Sequence, residues 1–156
     1  MKNLSLQNDE HWMRAALKAA GQAAKEDEVP VGAIIVHENQ IIAEGWNQTI
    51  QHHDPSAHAE VVALRHAGRQ LQNYRLLGTT LYVTLEPCMM CLSAMVHARI
   101  TRVVFGAKDP KTGACGGAVD GLALPQWNHL LNYTGEILAV ECAEILTQFF
   151  KDRRAK

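Results

Sequence analysis

Two short stretches carry residue types that can do chemistry together: His58-Ala59-Glu60 and Pro87-Cys88-Met89-Met90-Cys91. His58, Cys88 and Cys91 supply three donors of the kind zinc prefers. Catalytic zinc commonly takes three protein ligands and keeps a fourth position for water, whereas structural zinc is usually closed by four. The remaining cysteines, Cys115 and Cys142, stand alone, so no second Cys-x-x-Cys closes a structural site. Glu60 is then free to move protons rather than bind metal; Glu86, the other carboxylate at these segments, precedes the proline on the strand side. Neither half says much alone. A Cys-x-x-Cys serves equally as a redox pair, half of a structural zinc site or two core thiols, and a His-x-Glu is a weak signal in a chain with eight histidines. Together they point to metal-assisted attack by water, with one carboxylate as proton shuttle.

Such a site needs two helix starts side by side on one sheet, and the chain supplies candidates. Asp54-Pro55-Ser56 leads into a predicted helix over residues 57–71, with Ser56 as N-cap and Ala59, Val62, Ala63 and Ala67 on one face. His58 and Glu60 fall in its first turn. Residues 79–85 have strong β propensity. Pro87 suits the first position of the next helix, where its missing N–H costs nothing, and Glu86 before it is pushed toward extended geometry. Cys88 and Cys91 then share one side of a first turn, where the positive end of the helix dipole favours thiolate, the form that binds metal.

The rest of the chain reads as support. Residues 9–25 form a predicted helix with Asp9 as N-cap and Trp12, Ala16, Ala19, Ala20 and Ala23 at helical spacing. Residues 31–36 and 41–46 form a hairpin, and residues 47–55 a polar loop. Residues 102–106 are a strand, 109–121 a Gly-rich loop, part of 126–133 a fifth strand, and 141–154 a last helix. Met89, Met90, Leu92 and Met95 read most simply as packing residues, although methionine packs adaptably and some of them also suit a partner surface. After the hairpin, strands alternate with helices, which argues for an α/β layered architecture.

Composition bounds the function class. At 156 residues one domain, 1–156, is expected. Residues 1–10 lack the apolar core of a signal peptide, no apolar run approaches a membrane span, and four cysteines do not make a disulfide framework, so a cytoplasmic protein is expected. The net charge of −1 argues against a dedicated nucleic-acid coat. Its distribution is uneven: Glu26, Asp27 and Glu28 cluster early, while the tail sets Lys151, Arg153, Arg154 and Lys156 against Asp152 alone. A local basic patch can attract phosphate in a near-neutral protein, although charge alone also fits a solvated helix end.

The paired pattern His-x-Glu and Pro-Cys-x-x-Cys is that of zinc-dependent nucleobase deaminases. Most of the chain resembles the bacterial tRNA-specific adenosine deaminase family of the cytidine-deaminase-like superfamily. The resemblance is carried by Glu28-Val29-Pro30-Val31-Gly32-Ala33, Gly45-Trp46-Asn47, Asp54-Pro55-Ser56-Ala57-His58-Ala59-Glu60, Leu81-Tyr82-Val83-Thr84-Leu85-Glu86-Pro87-Cys88 and Arg102-Val103-Val104-Phe105-Gly106-Ala107. It implies a three-layer α/β/α cytidine-deaminase-like fold with a central mixed five-stranded sheet, a homodimer, and one Zn2+ per chain on His58, Cys88 and Cys91. It further implies Glu60 as proton shuttle and Asn47 on the flipped base. Asp109 and Asn128 fall at positions touching the target or neighbouring nucleotides, and Lys111, Phe150, Arg153 and Arg154 at positions associated with the RNA. The implied partner is a tRNA anticodon stem-loop, with no membrane. The chain departs from the family pattern at Gly116-Gly117, where many members carry Gly-Ser, and at Leu92, where a smaller residue is common.

The implied reaction is hydrolytic deamination of adenosine to inosine at the wobble position. A deaminase of a free base or nucleoside, guanine or cytidine, shares all four catalytic residues. The tail Phe149-Phe150-Lys151-Asp152-Arg153-Arg154 and the loop 109–113 are what a small substrate would not need. A non-catalytic zinc module is the remaining class; Glu60 speaks against it, since a dead module needs no carboxylate at an open coordination position.

Overall fold

The computed structural model describes residues 4–156; the polar opening stretch begins with residues 1–3, which lie outside them. The elements run α1 (Leu4–Lys25), β1 (Gly32–His37), β2 (Gln40–Trp46), α2 (Ala59–Leu71), β3 (Thr79–Leu85), α3 (Met89–His97), β4 (Arg102–Ala107), β5 (Asn132–Thr134) and α4 (Ala139–Ala155). The five strands form one sheet in the order β2-β1-β3-β4-β5.

Strand β1 is antiparallel to both β2 and β3, while β3, β4 and β5 are mutually parallel. Every strand except β1 therefore points the same way. The carboxyl ends of β2, β3 and β4 emerge at one edge of the sheet, together with the start of β1. Outside those ends is where open α/β sheets place their ligands.

Alternation along the central strands sorts two apolar layers. Ala33, Ile35, Leu81, Val83, Val103 and Phe105 face α2 and α3. Ile34, Val36, Tyr82 and Val104 face α1 and α4. Burial on both faces explains why β1, β3 and β4 read as near-continuous apolar runs, whereas the edge strand β2 alternates. The β1–β2 hairpin turns on Glu38 and Asn39, both at positive φ, as a two-residue primed turn requires. At Gly45, any Cβ would stand 2.5 Å from the Ala59 carbonyl oxygen, so the missing side chain is what lets α2 lie close on β2. Among the described residues, no helix is long and apolar enough to cross a membrane.

Three expected helix starts differ, each for a local reason. The first helix begins before Asp9, which is buried in its interior and takes a two-pronged ion pair from Arg102, at 2.8 and 2.7 Å, and the Tyr82 hydroxyl at 3.1 Å. Ser56 does not cap α2: its N–H and hydroxyl both donate to Asp54 Oδ1, closing a turn two residues earlier. Pro87 precedes the α3 N-cap instead of opening the helix. The fifth strand is confined to Asn132–Thr134. Before it, residues 126–131 are loop, pinned by Trp127 Nε1 donating to the Gly121 carbonyl and His129 Nε2 against the Ile100 carbonyl. Leu92 and Met95 are buried as expected, but Met90 is 40% exposed.

Candidate active site

His58 and Cys88 are themselves the N-caps of α2 and α3, both in extended geometry, and neither side chain bonds its own helix. Both are thereby left to point past the helix ends, toward each other. Cys91 follows within the first turn of α3 and is fully buried. His58 Nδ1 stands 3.6 Å from Cys88 Sγ and 3.5 Å from Cys91 Sγ, and the three donor atoms lie within 4.8 Å of one another. Tetrahedral zinc with Zn–S near 2.3 Å and Zn–N near 2.05 Å sets its nitrogen and sulfur ligands about 3.6 Å apart. The donor set fits zinc in both chemistry and spacing.

The Cys91 hydrogen bond, assisted by His58, holds the Cys88 pKa down at about 4; Cys88 and burial push Cys91 up; the Cys88 hydrogen bond raises His58. The two sulfurs compete for one proton, and a dication at that point favours thiolate on both. Glu60, in the first turn of α2, is 4% exposed. Burial pushes its carboxyl up to about 7, and a neighbouring dication would draw that value back down.

Beside the trio lies a cavity of about 240 Å³, lined by Val29, Val31, Asn47, His58, Ala59, Glu60, Leu85, Glu86, Cys88, Asp109 and Thr112. Drug-sized ligands usually occupy about 300–1,000 Å³, so this volume suits one flat ring system with its attachments outside. The strand directions explain the lining: Asn47 follows β2, Glu86 follows β3, Asp109 follows β4, and Val29 and Val31 lead into β1. Thr112 Oγ1 donates to Asp109 Oδ2 at 2.8 Å, and the N–H groups of Lys111 and Thr112 donate to Oδ1. Burial works against the Asp109 charge, but these bonds outweigh it and hold the carboxyl below its ordinary value.

Asn47, His58, Glu60, Cys88 and Asp109 thus meet at one cavity, with Cys91 behind them. Lys111 is exposed on the same loop as Asp109. Asn128 does not line the cavity; it accepts a hydrogen bond from Arg99 at 3.4 Å. Phe150 is 42% exposed on α4, and the Arg153 guanidinium lies 5.2 Å over the Phe149 ring. The tail reaches the site's edge of the fold through Lys156, 3.7 Å from Asp27, two residues before Val29. Cys115 and Cys142 are buried and do not join the donor trio, and burial pushes both up to about 12.

Sequence reasoning missed two carboxylates. Glu28, taken with Glu26 and Asp27 as an acidic cluster, is 1% exposed and accepts the N–H groups of Ile50 and Gln51 at 3.1 and 2.8 Å, fixing the loop that follows Asn47. Glu86 is 2% exposed and does the same for the loop after β4. The signal they share was position: each sits where a polar residue interrupts the entry to or exit from an apolar strand.

Residues 6–107 match the cytidine and deoxycytidylate deaminase zinc-binding region. The tRNA-specific adenosine deaminase of Haemophilus influenzae is 51% identical over 147 residues, covering 94% of this chain and 85% of that protein. This chain belongs to the tRNA-specific adenosine deaminase family. The Buchnera aphidicola (Schizaphis graminum) member is 47% identical over 148 residues, covering 94% of this chain and 96% of its own. A solved structure described as a tRNA:A34 deaminase, editing A to I at the wobble position of transfer RNA, superposes with a TM-score of 0.85 at 43% identity, covering 87% of this chain and 99% of that one. The cytidine-deaminase-like fold expected from the sequence is the fold observed.

Proposed function

We propose that this chain hydrolyses adenosine to inosine at the wobble position of a tRNA anticodon, releasing ammonia, with one zinc per chain held by His58, Cys88 and Cys91. One observation carries the reading: two adjacent helix starts bring three zinc-type donors within 4.8 Å of one another, with Glu60 lining the one-base cavity beside them.

Zinc bound there supplies Lewis-acid activation of water near neutral pH. The remaining work falls to the chain's own residues. Glu60 takes a proton from the attacking water and delivers it to the ring nitrogen next to C6. The water oxygen bonds to C6; Glu60 then takes the second proton from that new hydroxyl and passes it to the amine, so the C6–N bond breaks, ammonia leaves, C6 becomes a carbonyl, and the carboxylate is regenerated. Burial suits it to this traffic, because desolvation opposes the pull of a neighbouring dication and keeps the carboxyl able both to accept and to donate. Asn47 holds the base through its amide, and Asp109 holds the target or its neighbour at the rim.

Lys111, Asn128, Phe150, Arg153 and Arg154 meet the surrounding RNA in this reading. A splayed anticodon base enters such a pocket at lower cost than a duplex base. Residues 1–156 act as one deaminase domain in the cytoplasm. They form a homodimer, for which the apolar depression between the outer faces of α2 and α3, with Val61, Leu64 and Ala94, offers a surface. The test is to offer zinc-loaded protein an anticodon stem-loop with adenosine at the wobble position and, in parallel, free adenosine, guanine and cytidine, assaying ammonia and the deaminated product. Inosine from the stem-loop alone is expected; turnover of a free base or nucleoside with none of the stem-loop overturns the reading.

A further inference from the structure

We propose that Glu86 is a positioning residue that builds the substrate-facing wall of the cavity, and that it carries no proton in the reaction. Its substrate readouts rest on the deaminase reading above; its structural readout does not.

Glu86 stands at the exit of β3, two residues before a proposed zinc ligand, and at 2% exposure it is as buried as Glu60. Its oxygens, however, are engaged. Oε1 accepts the Asp109 N–H at 3.0 Å, and Oε2 accepts those of Cys115 at 2.9 Å and Gly117 at 2.8 Å. A carboxylate offers roughly four acceptor sites, so three are filled by one loop. Bonds from N–H to a charged acceptor are the short, strong kind.

Backbone bonds shape that loop from within, such as Gly113 N–H to the Asp109 carbonyl and Gly116 N–H to the Val119 carbonyl, both at 2.9 Å, and Ala114 N–H ties it to the Pro87 carbonyl at 2.8 Å; Glu86 is the buried side chain at its centre. The loop lacks helix or strand across 108–120 apart from the isolated bridges Cys88–Gly113 and Cys115–Asp120. It wraps the carboxylate with backbone alone: a Cβ on Gly113 would stand 2.3 Å from Glu86 Oε2, and one on Gly117 2.4 Å from Oε1. The two glycines are the space the carboxylate occupies. The same loop carries Asp109 and Thr112 to the cavity, tied to each other at 2.8 Å. Glu86 therefore sets where those two groups stand at the cavity, with three of its acceptor sites turned to the loop.

The test uses the zinc-loaded protein. In the wild type, the amides of Asp109, Cys115 and Gly117 should exchange at least about a hundredfold more slowly than in an unstructured peptide. Exchange at peptide rates overturns the proposal, whatever any variant does. Glu86→Gln keeps size but turns a donor group toward loop N–H groups; Gly117→Ala leaves the carboxylate intact and displaces the loop from the other side. Both should raise KM for the stem-loop about tenfold or more and speed exchange of the three amides, while zinc content and the shape of the kcat pH profile hold. A lost or displaced limb in that profile for Glu86→Gln would make Glu86 a proton carrier, and unchanged KM with unchanged protection would make it mere core. If the wild type fails to process the stem-loop, the functional reading falls, and the exchange pattern alone still decides whether Glu86 holds the loop.

Discussion

Replacing Glu60 by glutamine separates the proton shuttle from every other role the site could give it. The side chain is 4% exposed, so glutamine of nearly equal size keeps the packing at the start of α2. A positioned acid–base group is typically worth about 10²–10⁴ in rate, or about 3–5.5 kcal/mol of barrier. Here one group serves transfers to the ring nitrogen and to the leaving amine, so the expected fall in kcat is at the upper end, about 10⁴-fold. In the metal-free protein, stability should hold or rise, because burial disfavours the carboxylate's charge and glutamine removes it. The assay is single-turnover inosine formation on the stem-loop, beside zinc content and urea unfolding. Residual turnover within tenfold of wild type would refute the shuttle. Loss of zinc would show that Glu60 helps hold the metal, and the rate loss could not then be assigned to proton transfer.

Cys88→Ala should lose bound zinc and all turnover, read by metal analysis; full retention of metal sinks the ligand assignment. Arg153→Ala with Arg154→Ala should weaken stem-loop binding and lower the slope of log K against log salt by up to about 1.8, one phosphate contact for each arginine; an unchanged slope leaves the tail a solvated helix end. Asp9→Ala should lower stability by about 2–3 kcal/mol in urea unfolding, toward the low end for a broken buried pair because the Arg102 side chain keeps 30% exposure. Zinc content should hold in that variant, since α1 packs on the face of the sheet opposite α2 and α3; a loss below about 0.5 kcal/mol would mean the ion pair holds nothing in place.

That His58, Cys88, Cys91 and Glu60 come together was legible because zinc-type donors admit few residue types and fix their spacing, and a Pro-Cys-x-x-Cys at a strand exit announces its own geometry. The strands that carry them were legible because burial on both faces writes apolar runs that no loop shares. Asp9 misled for the complementary reason. A carboxylate at the head of an alanine-rich helix looks the same whether it caps that helix or pairs with an arginine 93 residues later, and only the second use needs a partner that local pattern cannot show. Glu28 and Glu86 were harder still. Their partners are backbone N–H groups, which every residue but proline owns, so the bonds leave no matching side chain in the sequence. Beyond position, Glu86 leaves an absence: glycines at 113 and 117, where any Cβ would strike its carboxylate. The residues that perform chemistry are marked by what they are. The residues that hold a loop in place for chemistry are marked by what their neighbours lack, and that becomes readable only once the chain has been folded around them.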